Sequence, residues 1–362
     1  MSLKCELIVN SDVGHLQQIY TGFSSLHDKK ILKLKQTIPS EFLQNKDVPS
    51  RWIDYNFFNT NVIINDEIRV CYDTHDWNWI DEKILADVDF YFKRSYEKAF
   101  LAKLDEEQKV FPLGLNYQVT SNKADFFRLK RAAFYDGKDK IKLILKALRL
   151  DNFLPNSETE RLDRMEAAPK FSAEPKILFM ARAWNTETIL DQSQKEIVAE
   201  INETRAESIR ILRREFGKNF FGGLMHDEFS EKHFKDVLLP DNSLSNKRKY
   251  LAMLKDFPIC VATKGLNNSN GWKLGEYVAF SKAIVTEPLH FQVTGDFANE
   301  KNYLEFTNSE ELLNAVSRLF DDKNLRDEMM KNNREYYQNF VRPDALVLNT
   351  LKIVADYSDF SL

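Results

Sequence analysis

The segment from Ile259 to Glu287 constrains the fold of this chain more than any other. It opens with an apolar run, Ile259–Thr263, that predicts a buried strand. A polar loop rich in Gly, Asn and Ser follows at Gly265–Asn270, and helical spacing follows over Trp272–Phe280. A second apolar run, Ala283–Thr286, predicts the next strand. This order of strand, loop, helix and strand is typical of a parallel α/β sheet.

The loop of this segment has the features of a phosphate site. A loop that opens a helix beside a parallel sheet presents free backbone N–H groups and the positive end of a helix dipole. Lys273 adds a cation in the first turn, and Glu276 lies three residues further on the same face, where it can accept hydrogen bonds from a ribose. The segment therefore predicts a site that holds a sugar nucleotide at its diphosphate and its ribose.

The same segment resembles the donor-binding segment of GT-B-fold glycosyltransferases, most closely the retaining family 4, or group 1, type. Members of that family carry two acidic residues eight positions apart, and the second one holds the donor ribose. The resemblance assigns this role to Glu276. The first acid, which contacts the donor sugar in the family, is replaced here by Asn268, whose amide can bond a hydroxyl but carries no charge.

The chain is long enough for two domains. Its 362 residues exceed one ordinary domain, and strands alternate with helical patterns in both halves. We predict an α/β protein with two Rossmann-like domains, the GT-B architecture that the resemblance implies. An N-terminal, acceptor-side domain spans 1–170 and a nucleotide-sugar-binding domain spans 171–340. A final helix in 341–362 crosses back to the first domain.

Further donor-binding residues follow from the resemblance. Arg182 comes after the strand Lys176–Met180, where family members carry an arginine that clamps the diphosphate, and a guanidinium binds phosphate oxygens bidentately. The usual partner lysine is missing from the next loop, and Lys273 is its replacement. Thr263 and Gly271, before and at the start of the predicted helix, complete the donor side. The alternative for both cations is a solvated surface charge.

Two loops of the first domain follow predicted strands, where ligands of open α/β sheets bind. His75 follows the apolar run Arg69–Tyr72, and related enzymes have a histidine near the donor sugar in the corresponding loop; Asp73 or Asp76 would orient its ring. Gly14 lets the backbone approach a ligand after the first strand, and His15 would face the acceptor or donor. The alternatives are an exposed loop histidine at position 75 and a surface residue at position 15.

We interpret the chain as a cytoplasmic glycosyltransferase that moves a sugar from a nucleotide-diphosphate sugar to a saccharide, lipid or small-molecule acceptor. His75 and Asn268 are the catalytic candidates. The resemblance implies retention of anomeric configuration and transfer without a metal or other cofactor, and inversion stays open because Asn268 replaces the acid. The alternative is a catalytically inactive GT-B-like binding or scaffold protein, which the missing acid and missing clamp lysine favour.

Charge and hydropathy limit the classes of binding partner that the sequence predicts. The net charge is −4, so the chain lacks the basic signature of a nucleic-acid binder. It has no apolar run of the roughly 20 residues that a membrane span needs, and its first ten residues, MSLKCELIVN, lack the long apolar region expected of a secretory signal. Asp87 and Asp89 fit strand-edge charges better than a metal site. Residues 123–150 combine Lys and Arg with an apolar stripe, and they either rest on a membrane surface or pack on the first domain's sheet.

Overall fold

The computed structural model describes residues 3–11, 13–39, 58–123, 129, 132–133, 137–148, 150, 160–171 and 174–358. Most of residues 123–136, the first half of the basic stretch 123–150, lie outside these ranges. Up to residue 161 the regular elements are β1 (Leu3–Ile8), α1 (Gln17–Asp28), β2 (Leu32–Thr37), β3 (Asn59–Ile64), β4 (Ile68–Asp73), α2 (Glu82–Ala86), β5 (Phe90–Lys93), α3 (Lys98–Leu101), β6 (Val110–Pro112), β7 (Val119–Thr120), α4 (Gly137–Ala147) and β8 (Glu160–Arg161).

A second series of elements follows after residue 174. It comprises β9 (Ile177–Ala181), α5 (Gln192–Phe216), β10 (Phe220–Leu224), α6 (Glu228–His233), α7 (Lys247–Leu254), β11 (Ile259–Ala262), α8 (Trp272–Ala279), β12 (Ala283–Thr286), β13 (Leu304–Glu305), α9 (Ser309–Asp321), α10 (Lys323–Tyr336) and α11 (Pro343–Asp356). The chain divides into two compact units. The first contains Met1–Arg164, Phe291–Gly295 and Gln338–Leu362, and the second contains Met165–His290 and Asp296–Tyr337.

The first unit is built on a six-stranded sheet in the order β2-β1-β3-β4-β5-β6. The pairs β1–β2, β4–β5 and β5–β6 are parallel, but β3 runs antiparallel to both of its neighbours, β1 and β4. The reversal comes from a tight hairpin turn at Asn65 and Asp66, whose φ angles are 51° and 64°. The Glu67 N–H donates to the Ile64 carbonyl oxygen at 3.1 Å and closes the turn, and Asn and Asp tolerate positive φ angles. The sheet is therefore mixed rather than wholly parallel.

The last helix, α11, completes the core of the first unit. Leu346, Val347, Leu351 and Val354 of α11 pack with apolar residues of α1 and of the sheet. A Cβ atom on Gly22 of α1 would lie 2.3 Å from the carbonyl oxygen of Pro343, so only glycine allows the two helices this close approach. The helix thus returns to the first unit, as predicted.

The second unit contains a five-stranded sheet in the order β10-β9-β11-β12-β13, and all of its pairs are parallel. Every residue of β11 and β12 is buried, which fits strands covered by helices on both faces. Residues of α5, α9 and α10 join the strands in one apolar core. Together the two units confirm the predicted α/β class with two Rossmann-like sheets.

Candidate functional site

The strand order of the second unit locates a binding edge. The chain moves outward in one direction from β9 to β10 and in the other direction from β11 to β13, so the order reverses between β9 and β11. Ligands of open α/β sheets bind outside the carboxyl ends of the strands at such a switch point. The loops that leave β9 and β11 carry Arg182, Thr263, Asn268 and Gly271. Four of the predicted donor-side residues therefore lie at this edge.

The loop after β11 leads into an open helix start. Asn267 and Asn268 both have φ angles of 55°, a left-handed conformation that asparagine adopts more readily than most residues. Asn268 is exposed. Helix α8 follows, and its N-cap residue, Gly271, provides no side-chain hydrogen bond. A Cβ atom on Gly271 would meet only the Thr263 carbonyl oxygen, at 3.7 Å. The first-turn N–H groups of α8 are thus uncapped by the side chain that usually satisfies them.

Glu276 lies in α8 and is only 3% exposed. Its Oε1 atom forms an ion pair with the ammonium group of Lys247, a residue of α7. Its Oε2 atom is buried and has no hydrogen-bond partner among the described residues. A buried carboxylate oxygen without a donor is costly, so a hydroxyl group of a bound ligand would be stabilising here. The local geometry fits the ribose role predicted for Glu276.

Lys273 adds a positive charge whose pKa is lowered by its surroundings. Its ammonium group lies 3.9 Å from the centre of the Tyr250 ring, within the range of a cation–π interaction. Burial is the main cause that lowers the pKa of Lys273 to about 8; the Glu276 carboxylate opposes this shift, and the charges of Lys247 and Arg182 contribute to it.

Arg205 of α5 is a site residue that the sequence interpretation missed. It is only 6% exposed. Its guanidinium donates to Thr263 Oγ1 at 3.0 Å, to the Arg182 carbonyl oxygen at 2.7 Å and to the Lys264 carbonyl oxygen at 2.9 Å. One buried side chain therefore ties the loop after β9 to the loop after β11 and places a positive charge behind both.

Asn202, one helical turn before Arg205, has a similar role. Its side chain donates to the Trp184 carbonyl oxygen and accepts from the Trp184 N–H, both at 2.8 Å. Both residues lie on the buried face of α5, between Val198 and Ile209. Polar residues at apolar positions of an amphipathic helix were therefore the sequence signal that could have found them, although the charge-rich pattern of α5 concealed it.

In the first unit, Asp73 and His75 form a buried polar network at the end of β4. His75 Nδ1 lies 2.7 Å from Asp73 Oδ1, and the Asp73 carboxylate also accepts from Lys93 Nζ at 2.7 Å and from the Tyr91 hydroxyl at 2.5 Å. Burial alone would raise the pKa of Asp73, but the charges of Lys93 and His75 outweigh it and hold that pKa below its usual range. Of the two acids expected beside His75, Asp73 is the one that hydrogen-bonds its ring, and the contacts of Asp73 with Lys93 and Tyr91 were not predicted.

The ring of His75 is not an exposed loop side chain, because only 1% of it is exposed. It packs against Phe58, with ring centres 5.0 Å apart, and against Trp77, with centres 4.7 Å apart. The structure therefore rules out the alternative of a solvated histidine at this position.

His15 and Gly14 lie before α1, which begins at Gln17. Burial, with a smaller effect of the Arg94 charge, lowers the pKa of His15 to about 3, so its imidazole is neutral at physiological pH. The His15 ring contacts Phe58, with centres 4.8 Å apart. A Cβ atom on Gly14 would lie 2.4 Å from Gln118 Nε2, so packing against Gln118 also accounts for this glycine.

Within the described part of the chain, no group of three or more His, Cys, Asp or Glu residues is placed to hold a metal ion. Nor did any helix in these ranges have the length and apolar content to cross a membrane.

Comparison with known proteins gives distant likenesses. No protein-family model and no curated protein matches this chain. S. aureus MnaA, in a structure with UDP, matches 100% of this chain and 99% of its own, with 12% identity and a TM-score of 0.39. A glycosyltransferase from Rickettsia africae matches 94% and 88%, with 11% identity and a TM-score of 0.40.

A third match is the C-terminal domain of a glycosyl transferase group 1 family protein, LpcC, from Francisella tularensis. It covers 49% of this chain and 95% of that domain, with 10% identity and a TM-score of 0.32. At such identities and TM-scores these matches transfer no activity to this chain.

Proposed function

We propose that this chain is a glycosyltransferase whose donor, a nucleotide-diphosphate sugar, binds at the carboxyl ends of β9 and β11. One observation carries the proposal. At the switch point of a parallel sheet, a helix start without a side-chain cap and a cation at Lys273 stand one turn from Glu276, whose Oε2 is buried without a partner among the described residues. Phosphate groups bind the first two features, and a ribose hydroxyl satisfies the third.

The chemistry follows from charge placement. Cleavage of the bond between the sugar and the diphosphate leaves negative charge on the departing nucleotide. In our proposal the N–H groups at the start of α8, with Lys273 and Arg182, stabilise that charge without a metal ion. Arg205 would hold the loop after β9 and the loop after β11 in fixed relative positions. The exposed Asn268 amide would bond a hydroxyl of the donor sugar.

The first unit would supply the acceptor side. The resemblance places His75 beside the reacting sugar, and Asp73 holds the histidine ring in one orientation. Because the ring is buried, this role requires a rearrangement that exposes Nε2 to substrate. Gly14 and His15 belong to the same proposal. Retention of configuration and a saccharide or lipid-linked acceptor rest on the resemblance alone, whereas the proposed cytoplasmic location rests on the free, buried cysteines Cys5, Cys71 and Cys260.

Calorimetric titration with UDP, GDP, CDP, ADP and their sugar conjugates, with and without Mg²⁺, tests donor binding. We expect one nucleotide class to bind and Mg²⁺ to have little effect. Glu276→Gln should weaken binding at least tenfold, which corresponds to about 1.4 kcal/mol for a lost charge-assisted bond. Glu200→Gln, at an exposed position of α5, is the matched control. Equal affinities of the Glu276 variant and the native chain would remove this carboxylate from the site.

A second function, binding without transfer, is favoured by the uncharged Asn268. It predicts tight nucleotide binding with no release of nucleoside diphosphate in the presence of a panel of sugar acceptors. Asn268→Asp is the informative variant, since aspartate also tolerates the left-handed backbone at this position. Turnover by the native chain would exclude the binding-only function, and turnover gained only in the variant would support it.

A further inference from the structure

Glu287 follows β12 directly and borders the candidate donor site. Ala262 of β11 pairs with Thr286 of β12, so the loops after these two strands leave the sheet side by side. Glu287 lines one small pocket with Asn268 and Gly271, two residues of the proposed donor side. In the described part of the chain, no other carboxylate lines this pocket. A negative charge that the proposed function does not use therefore lies at the site.

The contacts of Glu287 hold its carboxylate in place and leave one oxygen available. Oε2 accepts a hydrogen bond from the Lys264 N–H at 2.9 Å. Oε1 lies 3.7 Å from Lys264 Nζ, which is close enough for an ion pair but too far for a hydrogen bond. The side chain is 12% exposed. Oε1 can therefore accept a hydrogen bond from a ligand that enters the pocket.

The hydrogen bond to Lys264 does not require a charge at position 287, because the amide oxygen of a glutamine would accept from the same N–H. The charge does act on the site. Burial lowers the pKa of Arg205 to about 10, and the Glu287 carboxylate opposes this shift. A carboxylate among the cations of the site would also repel a phosphate group. It is compatible with ligand binding where it faces an uncharged part of the ligand.

The neighbours of Glu287 in the pocket indicate which part of the ligand that is. Glu287 shares the pocket with Asn268, whose amide bonds a hydroxyl of the donor sugar in the proposed function, whereas the ribose is assigned to Glu276. We propose that Glu287 recognises the transferred sugar, with Oε1 accepting a hydrogen bond from one sugar hydroxyl while Asn268 bonds another. The carboxylate that is missing at position 268 is thus supplied from the end of the next strand.

This role defines the donor more closely and rests on the proposed function. The donor is a nucleotide sugar with a free hydroxyl group at the carbon that Glu287 contacts. A hydrogen bond to a carboxylate is about twice as strong as one between neutral groups. A donor without that hydroxyl leaves the carboxylate without its ligand bond, so Glu287 discriminates between sugars and leaves the affinity for the nucleotide portion unchanged.

Calorimetric titration of the full chain with UDP, GDP, CDP, ADP and their sugar conjugates tests this role. Glu287→Gln should lower the affinity for the bound sugar conjugate at least about tenfold and leave the affinity for the free nucleoside diphosphate within about twofold. Glutamine keeps an acceptor for the Lys264 N–H, so the loop should keep its conformation. Glu200→Gln, the same change at an exposed position of α5, should leave both affinities unchanged.

Sugar conjugates that each lack one hydroxyl group identify the contacted group. One deoxy conjugate should bind the native chain at least about fivefold more weakly than the complete conjugate. The Glu287→Gln variant should bind these two ligands about equally, because the contact is already lost. Thermal melting checks that the variant is folded. If Glu287→Gln melts early, Glu287→Asp, which keeps the charge on a shorter side chain, takes its place in the comparison.

Failure of this inference and failure of the proposed function are distinguishable. If the native chain binds none of these nucleotides, the donor-site proposal fails and this inference fails with it. If a nucleotide sugar binds, equal losses for the diphosphate and its conjugate would assign Glu287 to the base or to loop support and overturn this inference alone. An unchanged affinity for the conjugate, or a deoxy series in which no deficit disappears in the variant, would overturn it as well.

Discussion

Lys93→Met should destabilise the first unit by about 3 kcal/mol. Lys93 and Asp73 are both fully buried, and Lys93 Nζ lies 2.7 Å from Asp73 Oδ2. At that distance an effective dielectric constant of about 20 gives roughly 6 kcal/mol of attraction, offset by the cost of removing both charges from water. Methionine keeps most of the packing of the lysine stem, so the variant mainly leaves an uncompensated carboxylate.

The remaining partners of Asp73 decide where the loss falls in the usual range of about 3–5 kcal/mol for a broken buried pair. The carboxylate still accepts from the Tyr91 hydroxyl and from the ring and backbone N–H of His75. The Asp73 carboxylate therefore keeps most of its hydrogen bonds, so we expect a loss of stability of about 3 kcal/mol, at the lower end of that range. With a urea m-value of about 2 kcal/mol/M, the transition midpoint should fall by about 1.5 M.

Urea denaturation followed by circular dichroism measures this shift, and hydrogen exchange of the amides of β4 assigns it to the first unit. Lys98→Met, at an exposed position of α3, is the control and should stay within about 0.5 kcal/mol of the native chain. Adding Asp73→Asn to Lys93→Met should recover part of the loss, because the stranded charge is removed. A loss below about 1 kcal/mol for Lys93→Met would refute the reasoning.

Four further predictions concern both units. Because the pKa of Asp73 is held below its usual range, its stabilisation is present above about pH 4 and is lost as the pH falls further; Asp73→Asn should flatten this acid dependence in thermal melts. Because the Lys273 pKa is about 8, nucleotide affinity measured by calorimetry should fall as the pH rises past 8, and Lys273→Arg should remove that fall. Arg205→Met should lower the melting temperature and weaken nucleotide binding, unlike the exposed Arg214→Met. Lys247→Met should also lower the melting temperature and weaken nucleotide binding, because it leaves the Glu276 carboxylate without its ion-pair partner. Lys247→Arg should largely keep both the melting temperature and the nucleotide affinity.

Three experimental outcomes would contradict these four predictions. They are an unchanged acid limb in the Asp73 variant, nucleotide affinity that stays constant across pH 8, and full nucleotide binding in both the Arg205 and Lys247 variants.

The second sheet could be predicted because its strands are buried on both faces and read as continuous apolar runs. The Ile259–Thr286 segment placed β11, α8 and β12 close to their observed bounds, and this located the binding edge. The reversed strand β3 was less visible. Its direction depends on two residues of a tight turn, and the apolar run of a strand is the same in either direction.

The candidate site could be predicted only where a residue belongs to a local pattern. Glu276 and Lys273 lie three residues apart on one helix, directly after the loop of the candidate site. Their spacing alone therefore predicted that the two side chains lie on the same helix face. Lys247, Arg205 and Lys93 reach their partners from other elements, and pairings between distant segments leave little trace in one sequence. The burial of His75 was also invisible, because Phe58 and the strand-end network cover it only in the folded chain.

The position of α11 has a consequence for synthesis. The core of the first unit includes Leu346, Val347 and Leu351, and the Thr350 hydroxyl bonds to the Tyr72 hydroxyl at 2.8 Å. Domains generally fold during translation as soon as their residues have emerged. Here the N-terminal part of the first unit must wait for α11, which is synthesised after the second unit, so the second unit can finish folding in the interval. Until then, the α1 surface around Gly22 stays uncovered on the ribosome, and it is the surface that a chaperone would be expected to protect.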